Sequence, residues 1–198
     1  MPPAVSPSAI ESIAEQTSEQ IRRLARGATR PSGPDPTAVA ALAAIRRGLG
    51  KRPGDVPELW PYTVPIIGGY AQAEPAVFHA FTLFAAHQQS QSLPMHARGH
   101  SFGAACHRLA AAVTKGGGNA DTVTRRFVAA GSANTVDAFA VHARGLVTLL
   151  RGQQITLDYR QFVLDAHSWT HRGRLTITRR RWGRDYYTAR TATAESDV

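Results

Sequence analysis

The sequence predicts an all-α protein, and two observations carry this prediction. Apolar residues recur at helical spacing along most of the 198 positions, and the alternation typical of β-strands is nearly absent. Because hydrophobic residues make up 43% of the chain and charged residues only 19%, the chain can bury a sizeable core. We predict a helical bundle of two packed subdomains joined by irregular loops, with negligible β structure.

Three consecutive glycines at positions 116–118 divide the chain in this prediction. Consecutive glycines end helices and favour a change in chain direction. The first subdomain therefore spans residues 1–118 and the second spans residues 119–198, and together they form one continuous structural unit.

The first subdomain begins with two amphipathic helices. Ser8 is a suitable N-cap for the first helix, which runs through Arg26 until Gly27 ends it. Asp35, which is followed by proline, begins the second helix, and Gly48 stops it. Their apolar stripes consist of Ile10, Ile13, Ile21 and Leu24 in the first helix and of Val39, Leu42 and Ile45 in the second.

The next two segments differ sharply in composition. Residues 51–69 are rich in proline and glycine, so we expect an irregular connection with at most a single turn near residues 58–60. Trp60 is expected to hold this loop against the core. Residues 75–89 are apolar on nearly every side, which is typical of a helix buried on several faces. We predict that they form the central helix.

Four more helices are predicted in the rest of the chain. They cover residues 101–115, residues 120–130, residues 135–151 and a segment that begins at Asp158. Ser101 and Asp158 directly precede apolar stripes and are suitable N-caps. Residues 175–178 alternate between apolar residues and threonine, but this segment is too short and too isolated to build a sheet.

Residues 99–103 have the sequence Gly-His-Ser-Phe-Gly, which matches the nucleophile elbow of serine hydrolases. That elbow requires a β-strand directly before the serine, and residues 94–99 lack a strand pattern. The chain offers triad partners for Ser101, namely Asp158 or Asp165 and His167 or His171. We predict instead that Ser101 caps a helix and that the chain has no catalytic residue, with a small serine hydrolase as one alternative.

A second alternative is a free-standing helical DNA-binding regulator. The predicted helices at residues 101–115 and 122–130 would form its helix-turn-helix. The connection at residues 116–119 is longer and looser than the turn of that motif. Sequence-specific recognition of a duplex is therefore not the preferred interpretation.

Four side chains that can bind metal ions lie close together in the sequence, namely His96, His100, Cys106 and His107. The first histidine pair lies in a predicted loop, and the chain has neither a second cysteine nor a His-Glu-x-x-His motif. We predict no metal and no cofactor. A single cysteine also excludes an intrachain disulfide.

No apolar run approaches the roughly 20 residues that a membrane span needs. The first residues lack the basic start and the apolar block of a secretory signal. We therefore expect a soluble cytoplasmic protein with no membrane partner.

The charge of the chain is its strongest functional signal. The formal net charge is +9 and the sequence pI is near 10.7. Of the 23 basic residues, all except Lys51 and Lys115 are arginine, and no carboxylate occurs from residue 75 to residue 120. Guanidinium groups match phosphate oxygens in bidentate geometry, so this composition indicates nucleic acid as the partner.

The basic residues concentrate at predicted helix ends and loops. They are Arg46, Arg47, Lys51, Arg52, Arg98, Arg108, Arg125, Arg126, Arg144 and Arg151. A further cluster at residues 179–184 contains Trp182, whose ring is either a surface on which bases stack or an anchor for the C-terminal tail.

Several segments, taken in order over about residues 38–190, resemble the CasB family, the small subunit of the type I-E CRISPR surveillance complex Cascade. The segments that carry the resemblance are residues 42–50 (LAAIRRGLG), 53–54 (PG), 57–60 (PELW), 83–89 (LFAAHQQ), 94–103 (PMHARGHSFG), 108–109 (RL), 125–127 (RRF), 142–144 (HAR), 149–151 (LLR), 158–159 (DY) and 181–187 (RWGRDYY). None of these segments is specific to the family by itself, whereas their occurrence together in this order is specific.

The resemblance implies an all-helical, non-catalytic protein of antiviral defence that self-associates as a dimer. Such a subunit would help to hold the guide RNA, the target DNA strand and the displaced strand, and would contact the backbone subunits and the large subunit. The basic residues that fall in or near matched segments become the predicted nucleic-acid-binding set, without sequence specificity. This set consists of Arg46, Arg47, Lys51, Arg98, Arg108, Arg125, Arg126 and Arg144.

Overall fold

A computed structural model describes residues 7–194 of the chain and the side chains of residues 9–188. Within that range the protein contains nine α-helices and no β-strand, which confirms the all-α prediction. The helices are α1 (Pro7–Ala28), α2 (Pro36–Arg46), α3 (Trp60–Ile67), α4 (Glu74–His87), α5 (Phe102–Lys115), α6 (Asp121–Ser132), α7 (Val136–Gly152), α8 (Tyr159–His167) and α9 (Arg172–Ala194). None of these helices is both long and apolar enough to cross a membrane.

Helix α4 lies at the centre of the bundle. Its side chains from Ala76 to His87 are all buried, and α1, α2, α3, α7 and α8 pack against it. The prediction of a central helix is therefore confirmed. His87 Nε2 donates to the Ile155 carbonyl at 3.0 Å, and its Nδ1 accepts from the Tyr159 hydroxyl at 3.0 Å. Burial lowers the pKa of His87 to about 4, so this ring is neutral at neutral pH.

The ends of α1 differ from the sequence prediction, whereas the start of α2 agrees with it. Helix α1 begins before Ser8, so Ser8 lies inside its first turn and does not cap it. The predicted stop at Gly27 is also wrong, because α1 continues to Ala28 and the Gly27 carbonyl accepts from Asp35 N at 2.9 Å. Asp35 is the expected N-cap of α2, since its Oδ1 accepts from Thr37 N at 2.9 Å.

Residues 60–67 form α3, where the sequence predicted an irregular loop with at most one turn. The prolines that indicated a loop are compatible with this short helix. Pro61 lies in the first turn, where its missing N–H is not needed, and Pro65 lies in a helix of only about two turns. The prediction for Trp60 is wrong as well, because this side chain is 48% exposed and the neighbouring Leu59 is the one buried in the core.

The alternating segment at residues 175–178 lies inside α9. Leu175, Trp182 and Tyr186 are buried, and their separations of seven and four residues place them on one helix face. Ile177, the residue that completed the strand-like alternation, is 66% exposed. Burial along a helical stripe therefore decides the conformation of this segment.

One hydrophobic core continues through both predicted subdomains. Phe102 of α5, Phe139 of α7 and Trp182 of α9 meet in it, with ring centroids 4.9 to 5.5 Å apart. Helix α5, which precedes the predicted boundary, packs mainly on α9, which follows it. The division at residue 118 stays a prediction.

Candidate nucleic-acid interface

The Gly-His-Ser-Phe-Gly motif forms the junction between α5 and α9. Ser101 Oγ accepts from Ala104 N at 3.2 Å and donates to Asp185 Oδ2 at 2.6 Å, so the predicted helix cap is confirmed. A Cβ added at Gly103 would lie 2.5 Å from the Trp182 carbonyl oxygen, which shows that this glycine allows α9 to approach closely. Ser101 and Gly103 of the motif thus contribute to the packing of α5 against α9.

The carboxylates that a catalytic triad would need bind elsewhere. Asp158 accepts from the backbone N–H groups of Gly99, Arg160 and Gln161 and caps α8. Asp165 accepts from the side chains of Gln161, Arg181 and Trp182. Because Ser101 instead contacts Asp185, the described residues do not assemble the triad that the hydrolase alternative requires.

The histidine and cysteine side chains near residue 100 have other partners than a metal ion. His96 Nδ1 lies 3.2 Å from Tyr159 N and 3.3 Å from the Leu157 carbonyl oxygen, and its Nε2 lies 3.0 Å from Ser18 Oγ. Cys106 is fully buried, and burial raises the pKa of its thiol. Among the residues that the structure describes, no three His, Cys, Asp or Glu side chains are grouped as a metal site would need.

The C-terminal cluster is buried on one side of α9. The Trp182 ring lies in the core, 1% exposed, and its Nε1 donates to Asp165 Oδ2 at 2.7 Å. Arg181 forms an ion pair with the same carboxylate, and Arg179 donates to the Ala133 carbonyl at 2.8 Å. Of the two roles considered for Trp182, the position of the ring corresponds to the anchor, because no base can reach it.

A second group of arginines is neutralised by helix α1. Glu11, Glu15 and Glu19 are four residues apart and therefore share one helix face. Each forms at least one ion pair with an arginine. We call this group the paired face, and it consists of Glu11, Glu15, Glu19, Arg22, Arg26, Arg98 and Arg160. Arg98, a predicted nucleic-acid-binding residue, is thus held by Glu15, whose pKa it lowers by a hydrogen bond.

Arg108 is also turned toward the protein. Its Nη2 donates to the Thr156 carbonyl at 3.2 Å, and it is only part-exposed. Arg47 is exposed and lies at a loose 3.9 Å from Glu58. Arg46 lines a separate cavity between α2 and the end of α4, beside Gln88. These predicted residues are therefore dispersed over the surface and do not form a single cluster.

Four other basic residues form a second surface, which we call the basic strip. It consists of Lys51, Arg52, Arg126 and Arg144. Arg144 Nη1 lies 3.3 Å from the position of a Cβ on Gly50, and Arg126 Nη1 lies 4.0 Å from that of Gly145. Gly50 has a φ of +82°, a conformation that L side chains rarely adopt, so a glycine is needed where the loop meets Arg144.

The basic strip differs from the paired face because its cations form no ion pairs among the described residues. In the part of the chain that the structure describes, none of its four cations lies within ion-pair distance of a carboxylate. All four side chains are exposed, as is the neighbouring Arg125, which contacts Thr122 of its own helix. Unpaired guanidinium groups on one surface can bind phosphate oxygens without first breaking an internal ion pair.

Sequence reasoning missed two acidic residues that shape these surfaces. Asp185 binds Ser101, and Asp137 lies beside the basic strip with its Oδ1 2.7 Å from His79 Nε2. The sequence signal of Asp137 was an acid in the first turn of a helix, which is favourable wherever a helix begins. Its partner His79 is 58 positions away, so the contact depends on the packing of α4 against α7.

The fold and the site together define a helical protein whose candidate site is a charged surface. The sequence model of the family of CRISPR-associated protein Cse2 matches residues 41–187, which is most of the chain. The protein belongs to the Cse2 family, and the predicted family resemblance is confirmed. Comparison with curated protein sequences gave no match.

Solved structures agree with this assignment. The chain is 30% identical to CasB from Thermobifida fusca, with a TM-score of 0.74 over 88% of this chain and 97% of that one. A Cse2-family protein from Thermus thermophilus is 26% identical, with a TM-score of 0.68 and coverages of 89% and 99%. A chain of a CRISPR RNA-guided surveillance complex is 25% identical, with a TM-score of 0.70 and coverages of 93% and 99%.

Proposed function

We propose that this protein is the small, non-catalytic subunit of a type I-E CRISPR surveillance complex and that it holds nucleic-acid backbones on its basic strip. The single observation that carries the proposal is that Lys51, Arg52 and Arg144 line one opening, that Arg126 Nη1 lies 4.0 Å from the Cβ position of the adjacent Gly145, and that none of these four cations has a carboxylate ion-pair partner among the described residues. Membership of the Cse2 family and the similarity to a chain of an RNA-guided surveillance complex support it.

The chemistry of the strip suits this role. In RNA-guided complexes the pairing between guide and target recognises sequence, so a subunit beside the strands has to neutralise and orient backbones. Arginine does so through bidentate bonds to phosphate oxygens, whatever the base. The proposed ligands are the guide RNA, the target DNA strand or the displaced strand.

The other predicted residues take different roles in this proposal. Arg125 is exposed beside Arg126 and extends the strip. Arg46, which lines a separate cavity, and the exposed Arg47 are further phosphate contacts outside the strip. Arg98 and Arg108 act indirectly, because their bonds to Glu15 and to the Thr156 carbonyl hold the loop before α5 in place. Self-association as a dimer, and contacts with the backbone and large subunits of the complex, belong to the same proposal.

The salt dependence of strand binding by the isolated protein tests the proposal. Each phosphate contact on a single strand releases about 0.7 of a counterion, so four contacts give a slope of roughly −3 for log affinity against log salt. We expect weak binding of mixed-sequence oligonucleotides with a slope near this value in fluorescence anisotropy titrations. Binding that ignores salt, or that is confined to one sequence, would contradict the proposal.

Co-purification provides the matching test in cells. A tagged chain recovered from its own host under gentle conditions is expected to carry an RNA population with a common repeat sequence, together with the larger subunits. Extraction and sequencing of the bound RNA measures this. Recovery of the chain without any RNA, from cells that express the complex, would argue against the assignment.

A further inference from the structure

A cavity of about 260 Å³ opens beside the basic strip, between α4, α7 and the loop that follows α2. Lys51, Arg52 and Arg144 all line it, so three of the four strip cations surround the same opening. A water molecule occupies roughly 30 Å³ in the liquid. The cavity therefore has room for a planar ring and not merely for one or two waters.

Part of the wall of this cavity is apolar. Leu49, Leu83, Ala140 and Val141 line it, and Val141 is 67% exposed at the surface although it is a large aliphatic side chain. A site that binds phosphate alone does not require apolar side chains, because an anion is held by hydrogen-bond donors and by positive charge. Aliphatic side chains beside cations instead match a ligand with an apolar face and an attached phosphate.

A carboxylate lies among these cations. The Asp137 side chain is 59% exposed, and its Oδ1 accepts from His79 Nε2 at 2.7 Å. Burial lowers the pKa of His79, although Asp137 opposes the shift, so the imidazole is neutral at neutral pH. Because His79 uses one oxygen, Oδ2 is available to accept a hydrogen bond from a ligand.

We propose that the cavity accepts one unstacked nucleotide of the strand held on the basic strip, and that Asp137 favours a base with an exocyclic amino group. The phosphate would lie on Lys51, Arg52 and Arg144, the base would lie against Leu49 and Val141, and its amino group would donate to Asp137. Carboxylates accept from the amino group of cytosine in the same way. The inference rests on the proposed function, since it requires a bound strand.

The experiment compares strands that differ only in the base. Oligonucleotides of about twelve nucleotides, composed of deoxycytidine, of thymidine or of abasic residues, present the same phosphates and span one protein. We expect the wild-type protein to bind the cytidine strand about threefold or more tighter than the thymidine strand at neutral pH, because thymine lacks the amino donor. The abasic strand is expected to bind more weakly than the cytidine strand.

The variant Asp137→Asn gives an effect of opposite sign on the two strands. Removal of a negative charge beside the strip is expected to tighten binding of the thymidine strand, whereas the preference for cytidine disappears. Asp121→Asn is the matched control, because Asp121 is an exposed first-turn acid on α6 that does not line the cavity. This control is expected to retain the preference for cytidine.

The outcomes separate the two proposals. Equal affinity of the wild-type protein for the cytidine and thymidine strands, with normal salt dependence, overturns the nucleotide cavity and leaves the phosphate-binding function intact. Salt-independent binding, or no binding to any strand, overturns both. The same comparison with cytidine and uridine ribonucleotides identifies the source of the nucleotide, and a cytidine preference confined to RNA assigns the cavity to the guide.

Discussion

The paired face and the basic strip are built from the same residue type, yet they differ in what surrounds it. On the paired face, glutamates at intervals of four along α1 meet Arg22, Arg98 and Arg160. On the strip, Arg126 and Arg144 have no carboxylate within ion-pair distance in the described structure. An arginine is available to a phosphate group only where the fold leaves it without an ion-pair partner.

The two surfaces therefore have different energetic roles. Ion pairs between exposed side chains contribute about 0 to 1 kcal/mol each, so the paired face adds little stability and mainly fixes the position of α8 and the loop before α5 against α1. The strip contributes repulsion among its cations instead, which a bound polyanion relieves. The cluster at residues 179–184 resembles the paired face only in that Arg181 is neutralised, and it belongs to the core because its partner Asp165 is buried.

The largest expected effect is on stability and tests this assignment of the C-terminal cluster. Trp182→Ala leaves a cavity in the core and removes a donor from buried Asp165, so the free energy of unfolding should fall by about 3–5 kcal/mol. Denaturant unfolding followed by circular dichroism measures it. Strand affinity, measured where the variant is still folded, should be unchanged.

Trp182→Phe is the conservative control for this prediction. It retains a six-membered aromatic ring but loses the five-membered ring of the indole, with the N–H that donates to Asp165, so a smaller loss of stability is expected. A Trp182→Ala variant with wild-type stability and strongly reduced strand affinity would show that the ring is a stacking surface after all.

The second prediction compares the two faces directly. Arg126→Gln combined with Arg144→Gln should lower the affinity for a single strand about tenfold and reduce the salt slope by about 1.4, since two phosphate contacts are lost. Arg22→Gln combined with Arg26→Gln removes the same charge from the paired face and should change affinity by less than about twofold. Equal losses in the two double variants would mean that total charge alone governs binding.

The smallest expected effect comes from removing a carboxylate of the paired face, so that an arginine there becomes unpaired like those of the basic strip. Glu15→Gln releases Arg98 and leaves Arg160 with Glu11 alone, so strand affinity should rise by about twofold while stability falls by less than about 1 kcal/mol. Glu74→Gln, at the start of α4, removes the same charge away from this arginine cluster and serves as the control. If strand affinity does not rise in Glu15→Gln, Arg98 and Arg160 contact other protein groups in the variant as they do in the wild type.

The pH dependence of the same variant sharpens this comparison. Because Arg98 lowers the pKa of Glu15, the stabilising pair is complete above the ordinary glutamate range and is lost as the pH falls below it. Wild-type stability should therefore decline more steeply than that of Glu15→Gln over this acidic interval. Thermal melts at several acidic pH values test the difference.

Most of the helices could be predicted because local signals agreed with one another. Asp35, Ser101 and Asp158 cap helices in the structure as the sequence indicated, and the apolar segment around Phe81 is the buried centre. The failures occurred where a local rule was applied without its context. Proline in α3 and alternation in α9 were misleading, since burial against neighbouring helices outweighs weak propensities.

The candidate site was predictable in composition but not in arrangement. Arg98 and Arg144 have the same side chain and both lie in segments that resemble the family. Their different environments depend on Glu15 and on Gly50, which are 83 and 94 positions away in the chain. Residues so far apart in the sequence come into contact only when the helices pack, so no local sequence pattern predicts these contacts.

The sequence alone determined that the protein is helical, strongly basic and a relative of CasB, because periodicity, charge and ordered segments are properties of the chain itself. The tertiary structure decided which arginines are neutralised, that Trp182 is buried and that Asp137 lies beside the basic strip. The physical reason is that ion pairing and burial depend on distances between helices, which exist only once the core has formed.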